Sequence, residues 1–328
     1  MHGQNMNIKG YEYCSGCGVC LLVCPLWRRT GSMSYTRKAR ARALQGGATI
    51  DEIAASIDAC LMCGSCEPVC PEGIGIKAMN MNQRRVLNMS RTDFPSWYPK
   101  PSVMTTGINA GPLRKPITLL AGEHMGSDSQ TIRSVIEILG GDKKAALADD
   151  DGRDIAAALE AGLPVPRRRV DSFTTFLKHT GTLVVAEGLL HRPIRKWLPK
   201  TKVISPGEAL LSSADIRKAL GPEDLYVIES RGYHSDYERL VKFYDRVRKE
   251  TGCQMNLDLQ RIVIPTGASS LQAREDIKTA GCLEQARWIL KGRSVKRIVV
   301  EDLADRAVFQ RITDIPIIHV GQLGPDNS

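Results

Sequence analysis

Two stretches of the chain repeat one cysteine phrase. Residues 14–25 read CSGCGVCLLVCP and residues 60–71 read CLMCGSCEPVCP, so Cys14, Cys17, Cys20 and Cys24 lead into Pro25 with the spacing by which Cys60, Cys63, Cys66 and Cys70 lead into Pro71. Eight of the ten cysteines in the 328 residues lie in these runs; Cys253 and Cys282 are the others. Thiols crowded in this way pair, hold metal or do redox work. No apolar run approaches the roughly 20 residues of a membrane span, and MHGQNMNIKG lacks the apolar stretch of a signal peptide. The expected compartment is the cytoplasm, where structural disulfides do not persist, which leaves metal or redox chemistry.

The spacing C-x2-C-x2-C-x3-C-P is the ferredoxin signature: three close thiolates wrap one face of a cubane, and the fourth cysteine leaves on the next helix to reach the other cluster. On that logic Cys14, Cys17, Cys20 and Cys70 hold one [4Fe-4S] cluster, and Cys60, Cys63, Cys66 and Cys24 hold the second. Ser15, Gly16, Gly18, Gly64 and Ser65 between the ligands let backbone N–H groups point at cluster sulfurs. Zinc on four thiolates is the alternative. Zinc sites usually use two paired C-x2-C knuckles rather than three crowded cysteines and a fourth followed by proline.

The spacer between the runs reads as helix rather than as the short strands of a compact ferredoxin. SYTRKARARAL is rich in helix formers and stops at Gly46-Gly47. Thr49 and Glu52 form a T-x-x-E capping box opening a helix that carries Ile50, Ile53, Ala54 and Ile57 on one face and delivers Cys60. A third helix is expected from about Ile76 to Met89.

Beyond a Pro- and Gly-rich stretch the chain repeats itself. Residues 117–141 can be laid on 225–252, each an apolar strand, a glycine-containing turn, a Ser-Asp cap and an amphipathic helix; residues 183–210 match 298–323 as strand, helix, strand. Such alternation predicts parallel α/β layers, and its repetition predicts two lobes. The expected fold is α + α/β. An all-helical two-cluster ferredoxin domain (1–92) and a linker (93–116) precede a duplicated, Rossmann-like domain with lobes at 117–221 and 222–328.

This combination resembles the iron-sulfur subunits of heterodisulfide reductase and its relatives, the glycolate oxidase iron-sulfur subunit and the anaerobic glycerol-3-phosphate dehydrogenase subunit. The resemblance rests on the cysteine runs over the first domain and on element order beyond it. In that family each lobe carries cysteine-rich CCG and C-x-x-C motifs. Here the corresponding places read Asp150-Asp151-Gly152 and Pro265-Thr266-Gly267, with the later pairs near Glu187–Leu190 and Glu301–Ala304, none of them cysteine. The resemblance therefore implies an electron-transfer subunit with degenerate lobes. Its partners would be a flavoprotein or other redox subunits, and its acceptor either a quinone-linked membrane complex or a heterodisulfide-type module. It would be cytoplasmic, reaching the inner membrane face through those partners.

Several residues admit two readings. Cys253 and Cys282 are expected to be buried and inert; as a redox pair they would make the chain a thiol-disulfide reductase. Clusters that only brace a scaffold are a further alternative. His124 in GEHMGSD and His234 in GYHSD occupy similar places and suggest duplicated turns, or else a polar pocket between lobes. The turns AGEHMGSD and GASS precede helices and could seat an anion, though neither is a full G-x-G-x-x-G. The net charge of +9 collects in RKARAR (37–42), RRR (167–169) and RPIRK (192–196). With aromatics at 5% and no reader motif, these patches suit an acidic partner protein or an anionic membrane surface rather than nucleic acid. The helix carrying Arg37, Lys38, Arg40 and Arg42 is the expected docking face, and no small-molecule substrate of the chain's own is expected.

Overall fold

The short apolar runs of the second part of the chain become strands of two parallel sheets. The computed structural model describes residues 9–99, 113–259, 261–278 and 280–323, so most of the expected linker lies outside the described residues. Strands β1 (Ile117–Leu120), β2 (Ala145–Leu147), β3 (Thr182–Val185) and β4 (Lys202–Ile204) form one sheet in the order β2-β1-β3-β4. Then follow β5 (Asp224–Val227), β6 (Gln254–Met255), an antiparallel ribbon of β7 (Leu257–Asp258) and β8 (Ile262–Val263), β9 (Arg297–Val300) and β10 (Ile317–His319). The second sheet runs β10-β9-β5-β6, so each sheet places its strands in the same relative order, and every pairing within both is parallel.

Side chains alternate across a strand, and here both faces are buried. Leu119 and Val184 of the first sheet join Tyr226 and Val299 of the second in one shared core. The alternate residues turn outward to separate cores: Leu120, Leu183 and Val185 on the first sheet, Leu225, Val227, Ile298 and Val300 on the second. Each such buried side chain contributes about 1.5–3 kcal/mol, which is why these strands are continuously apolar.

The N-terminal part is helical, with no strand among its described residues. Helix α1 (Pro25–Thr30) begins at a proline, whose missing N–H costs nothing in the first turn. Helix α2 (Arg37–Gln45) is capped by Thr36, whose hydroxyl accepts the Ala39 N–H, and ends at Gly46 as expected. Thr49 and Glu52 exchange the reciprocal capping bonds read from the sequence. The helix they open starts as a 3-10 turn (Asp51–Ile53) and becomes α3 only at Ala54–Ala59. Helix α4 (Ile76–Ser90) follows. It packs on the first lobe where Gly162, at φ +71°, leaves room: a Cβ there would lie 2.5 Å from the Cβ of Arg84. No helix among the described residues is long and apolar enough to cross a membrane.

Candidate metal centre

Each cysteine run folds as a tight loop that turns into a helix or a short turn, and the two backbones repeat more faithfully than the two sequences do. Gly16 and Gly18 of the first run sit at φ +80° and +83°; the equivalent residues of the second are Met62 at φ +55° and Gly64 at +81°. A left-handed methionine costs about 1–2 kcal/mol. Packing holds it there, since Met62 is buried and its sulfur accepts a 3.2 Å hydrogen bond from Asn80.

The fourth cysteine of each run lands beside the other run. Cys24, Cys60, Cys63 and Cys66 line one chamber, together with Cys20. Burial pushes the Cys24 thiol up to about 11, and the neighbouring Cys63 and Cys60 push in the same direction. Cys14 in turn shares a buried cluster with Cys70 and Cys66, packed on Ala41, Ile74, Ile76 and Met79. Among the described residues no three cysteine, histidine or carboxylate side chains converge closely enough to hold a metal ion; the thiols ring a space instead.

The chamber is also lined by Arg37, Arg40 and Lys77, and by no carboxylate. Arg37 Nε and Nη2 and Arg40 Nε are buried without a hydrogen-bond partner. Burial alone would lower the Arg37 pKa, but the charges of Cys70, Cys66 and Cys20 outweigh it and leave it raised. Orphaned guanidinium nitrogens in a chamber lined by five cysteines fit an anionic thiolate cluster, which would supply the missing acceptors. The same burial corrects the sequence reading of α2 as a docking face. Arg37 and Arg40 are 6% and 2% exposed, and Arg40 donates to the Ser56 carbonyl at 2.7 Å; only Arg42 is exposed, with Lys38 half-buried. Residues 37, 40 and 41 share one face of a 3.6-residue helix, and that face looks inward.

The two loops meet different surroundings. In the first run Ser15, Cys17 and Val19 are exposed, whereas Leu61, Met62, Cys63, Gly64 and Ser65 of the second are all buried. Residues that follow β5 cover them. His234 Nδ1 lies 3.0 Å from the Cys63 carbonyl, Arg231 donates to the Leu61 carbonyl at 2.8 Å, and the Ser65 hydroxyl donates to the Val263 carbonyl at 3.3 Å. Arg231 is itself fixed by a bidentate pair with Glu160 of the first lobe, at 2.6 and 2.8 Å. From α4, Arg84 donates to the carbonyls of Asp58 and Cys60. None of Lys77, Arg84 or Arg231 carries a local sequence signal for this role, because each acts on backbone far away in the chain.

In the α/β part, the places where the resemblance would put cysteines hold charged and polar networks. Asp150 and Asp154 both pair with Arg169, all three nearly fully buried and every oxygen–nitrogen contact at 2.7 Å. Thr266 donates to Asp305. Glu301 accepts from Tyr226, Tyr244 and the Glu229 N–H, while His124 pairs with Asp302 at 3.3 Å across the lobes. The two histidines of similar sequence context thus part company: His124 faces the other lobe, His234 the cysteine loop. Both helix starts proposed as anion seats are occupied by the chain's own carboxylates, Glu187 at the Glu123 N–H and Glu160 at the Leu271 N–H. Cys253 and Cys282 lie in separate apolar cores, and burial pushes the Cys282 thiol up to about 12, far from the reactive thiolate.

No curated protein and no solved structure matches the chain. Residues 10–74, a span holding all eight clustered cysteines, match the family model described as a 4Fe-4S dicluster domain. This part of the chain is an iron-sulfur domain of ferredoxin type.

Proposed function

We propose that the chain is an electron-transfer subunit of a larger oxidoreductase complex, relaying electrons through two [4Fe-4S] clusters. Cys14, Cys17, Cys20 and Cys70 hold the first, and Cys60, Cys63, Cys66 and Cys24 the second. The crossing of the fourth cysteines carries this reading, since Cys24 stands with Cys60, Cys63 and Cys66 around one chamber. When bound, the clusters supply reversible uptake and release of single electrons. The chain's part is to hold the thiolates, to keep the two centres adjacent by exchanging ligands between the runs, and to place Arg37, Arg40 and Lys77 against the negative charge. The α/β part is read as two lobes, at 117–221 and 222–328, of the heterodisulfide-reductase type with the cysteine motifs replaced by ion pairs. A flavoprotein is the proposed donor, with the acceptor on a quinone-linked or heterodisulfide-type partner at the inner membrane face.

Anaerobically purified protein is expected to hold about eight iron and eight sulfide per chain, the content of two cubanes. Cys24→Ser and Cys60→Ser should alter the same EPR signal, and Cys14→Ser and Cys70→Ser the other. An iron content near four, bound zinc, or Cys24→Ser acting on the signal of Cys14 would overturn the assignment.

A further inference from the structure

We propose that this relay is polarised: the cluster on Cys14, Cys17, Cys20 and Cys70 is the outer port, and the cluster on Cys24, Cys60, Cys63 and Cys66 is an inner store whose potential is held above that of the port by Lys77, Arg37 and Arg40. The inference rests on the two-cluster reading above and deepens it.

Two copies of one phrase in two environments make the case. The Cys17 edge of the first loop is exposed, whereas the whole of residues 61–65 is buried under the second lobe. A partner can therefore bring its own redox group closer to the exposed Cys17 edge of the first run than to residues 61–65 of the second. One electron leaves the reduced partner, a flavoprotein in the reading above, which is oxidised by one electron; it passes inward, and no bond is made or broken.

Reduction adds a negative charge, and in a buried site that charge is costly unless fixed cations stand nearby. The inner chamber has three such cations on its wall and no carboxylate. Arg37 lies near Cys66 of the inner set and near Cys20 and Cys70 of the outer, so it acts on both. Lys77 discriminates between them. It is 6% exposed, its ammonium donates to the Arg231 carbonyl at 3.1 Å, and it stands against Gly64, where a Cβ would lie 3.4 Å from Nζ and 2.9 Å from the His234 Cβ. Two carboxylates act on it: Glu67, which accepts the Lys77 backbone N–H at 2.7 Å and is paired with Arg192 at 2.7 Å, and Glu229, which is engaged by the N–H groups of Arg231 and Gly232. The charge of Lys77 acts on the inner loop from a buried position, whereas Lys38, at the same 3.4 Å from a Cβ on Gly18 of the outer loop, is half-buried, and Arg42 beside Gly16 is exposed, so that water screens both. Lys77 is a positioning and charge-setting residue rather than a catalytic one.

Potentiometric EPR titration tests this, with the inner signal identified as the one that Cys60→Ser alters. In the unaltered protein the inner signal should appear at the higher potential. Lys77→Met should shift that signal to lower potential and leave the outer signal in place, and Lys77→Arg should restore it. An unmoved inner signal in Lys77→Met, an equal shift of both, or a higher potential for the outer signal would overturn the proposal. A soluble paramagnetic relaxing ion gives a second measurement that needs no variant: it should speed relaxation of the outer signal well beyond that of the inner, and equal enhancement would equally overturn it. Finding only one cluster would instead defeat the reading beneath it.

Discussion

The Nδ1 of His234 lies 3.0 Å from the carbonyl oxygen of Cys63, joining residues 171 positions apart. Burial pushes the imidazole pKa down to about 3, so the ring is neutral and Nδ1 is the donor. The turn after β5 therefore reaches into the second cysteine loop and fixes one of its carbonyls. A neutral hydrogen bond of this kind is worth about 0.5–1.5 kcal/mol net. In His234→Ala the loop should open more often, and iron should be lost to a chelator several-fold faster. His234→Asn, which keeps a short donor, should lie between the two; a chelation rate unchanged in both would show that the turn does not guard the loop.

Arg231 and Glu160 form a buried bidentate pair, and Arg231 also holds the carbonyl of Leu61. Removing one partner of such a pair strands a buried charge and typically costs about 3–5 kcal/mol. Arg231→Met should destabilise the protein by that order in denaturant unfolding. The double variant Arg231→Met/Glu160→Gln should recover part of the loss, because no charge is then stranded. A double variant as weak as the single one would mean that the loss does not come from a stranded charge.

The carboxyl of Glu301 accepts the Glu229 N–H, and burial raises the carboxyl of each from 4.5 to about 7. Their neighbours are Tyr226, Tyr244, Asp302, Asp305 and, beyond Asp302, His124. A folded-state pKa above the unfolded value gives stability that is complete below the unfolded value and lost as pH rises through the folded one. The melting temperature should thus fall between pH 5 and about 7.5 through this pair. Glu301→Gln removes one titrating group, and its melting temperature should fall less steeply over the same window; parallel curves for the two proteins would count against it.

With Arg37 and Arg40 turned inward, charge available to a partner at the outer port is that of Lys38, beside Gly18, and Arg42, beside Gly16. Reversing both (Lys38→Glu/Arg42→Glu) should slow second-order reduction by an acidic donor and flatten its salt dependence, since attraction is screened over roughly 10 Å at 0.1 M ionic strength. Stopped-flow absorbance measures the rate. No change in either rate or slope would remove these residues from the docking face.

What the sequence determined by itself is local. The cysteine spacing, the Thr49–Glu52 box, the stop at Gly46 and the short, largely apolar runs of β1, β3, β5 and β9 each depend on neighbours a few positions away, and each is found where the sequence puts it. What only the tertiary structure decided depends on which faces are covered. A run of basic residues does not say which side of α2 looks inward, so Arg37 and Arg40 read as surface until the cysteine chamber is seen against them. Two equal phrases do not say that one is roofed by His234, Arg231 and Val263 while the other meets water. Nor do two similar histidines say that one will face Asp302 and the other Cys63. Short-range bonding repeats with the sequence, whereas burial is set by the packing of segments remote in the chain, and in this protein it is burial that makes two like cysteine loops unlike.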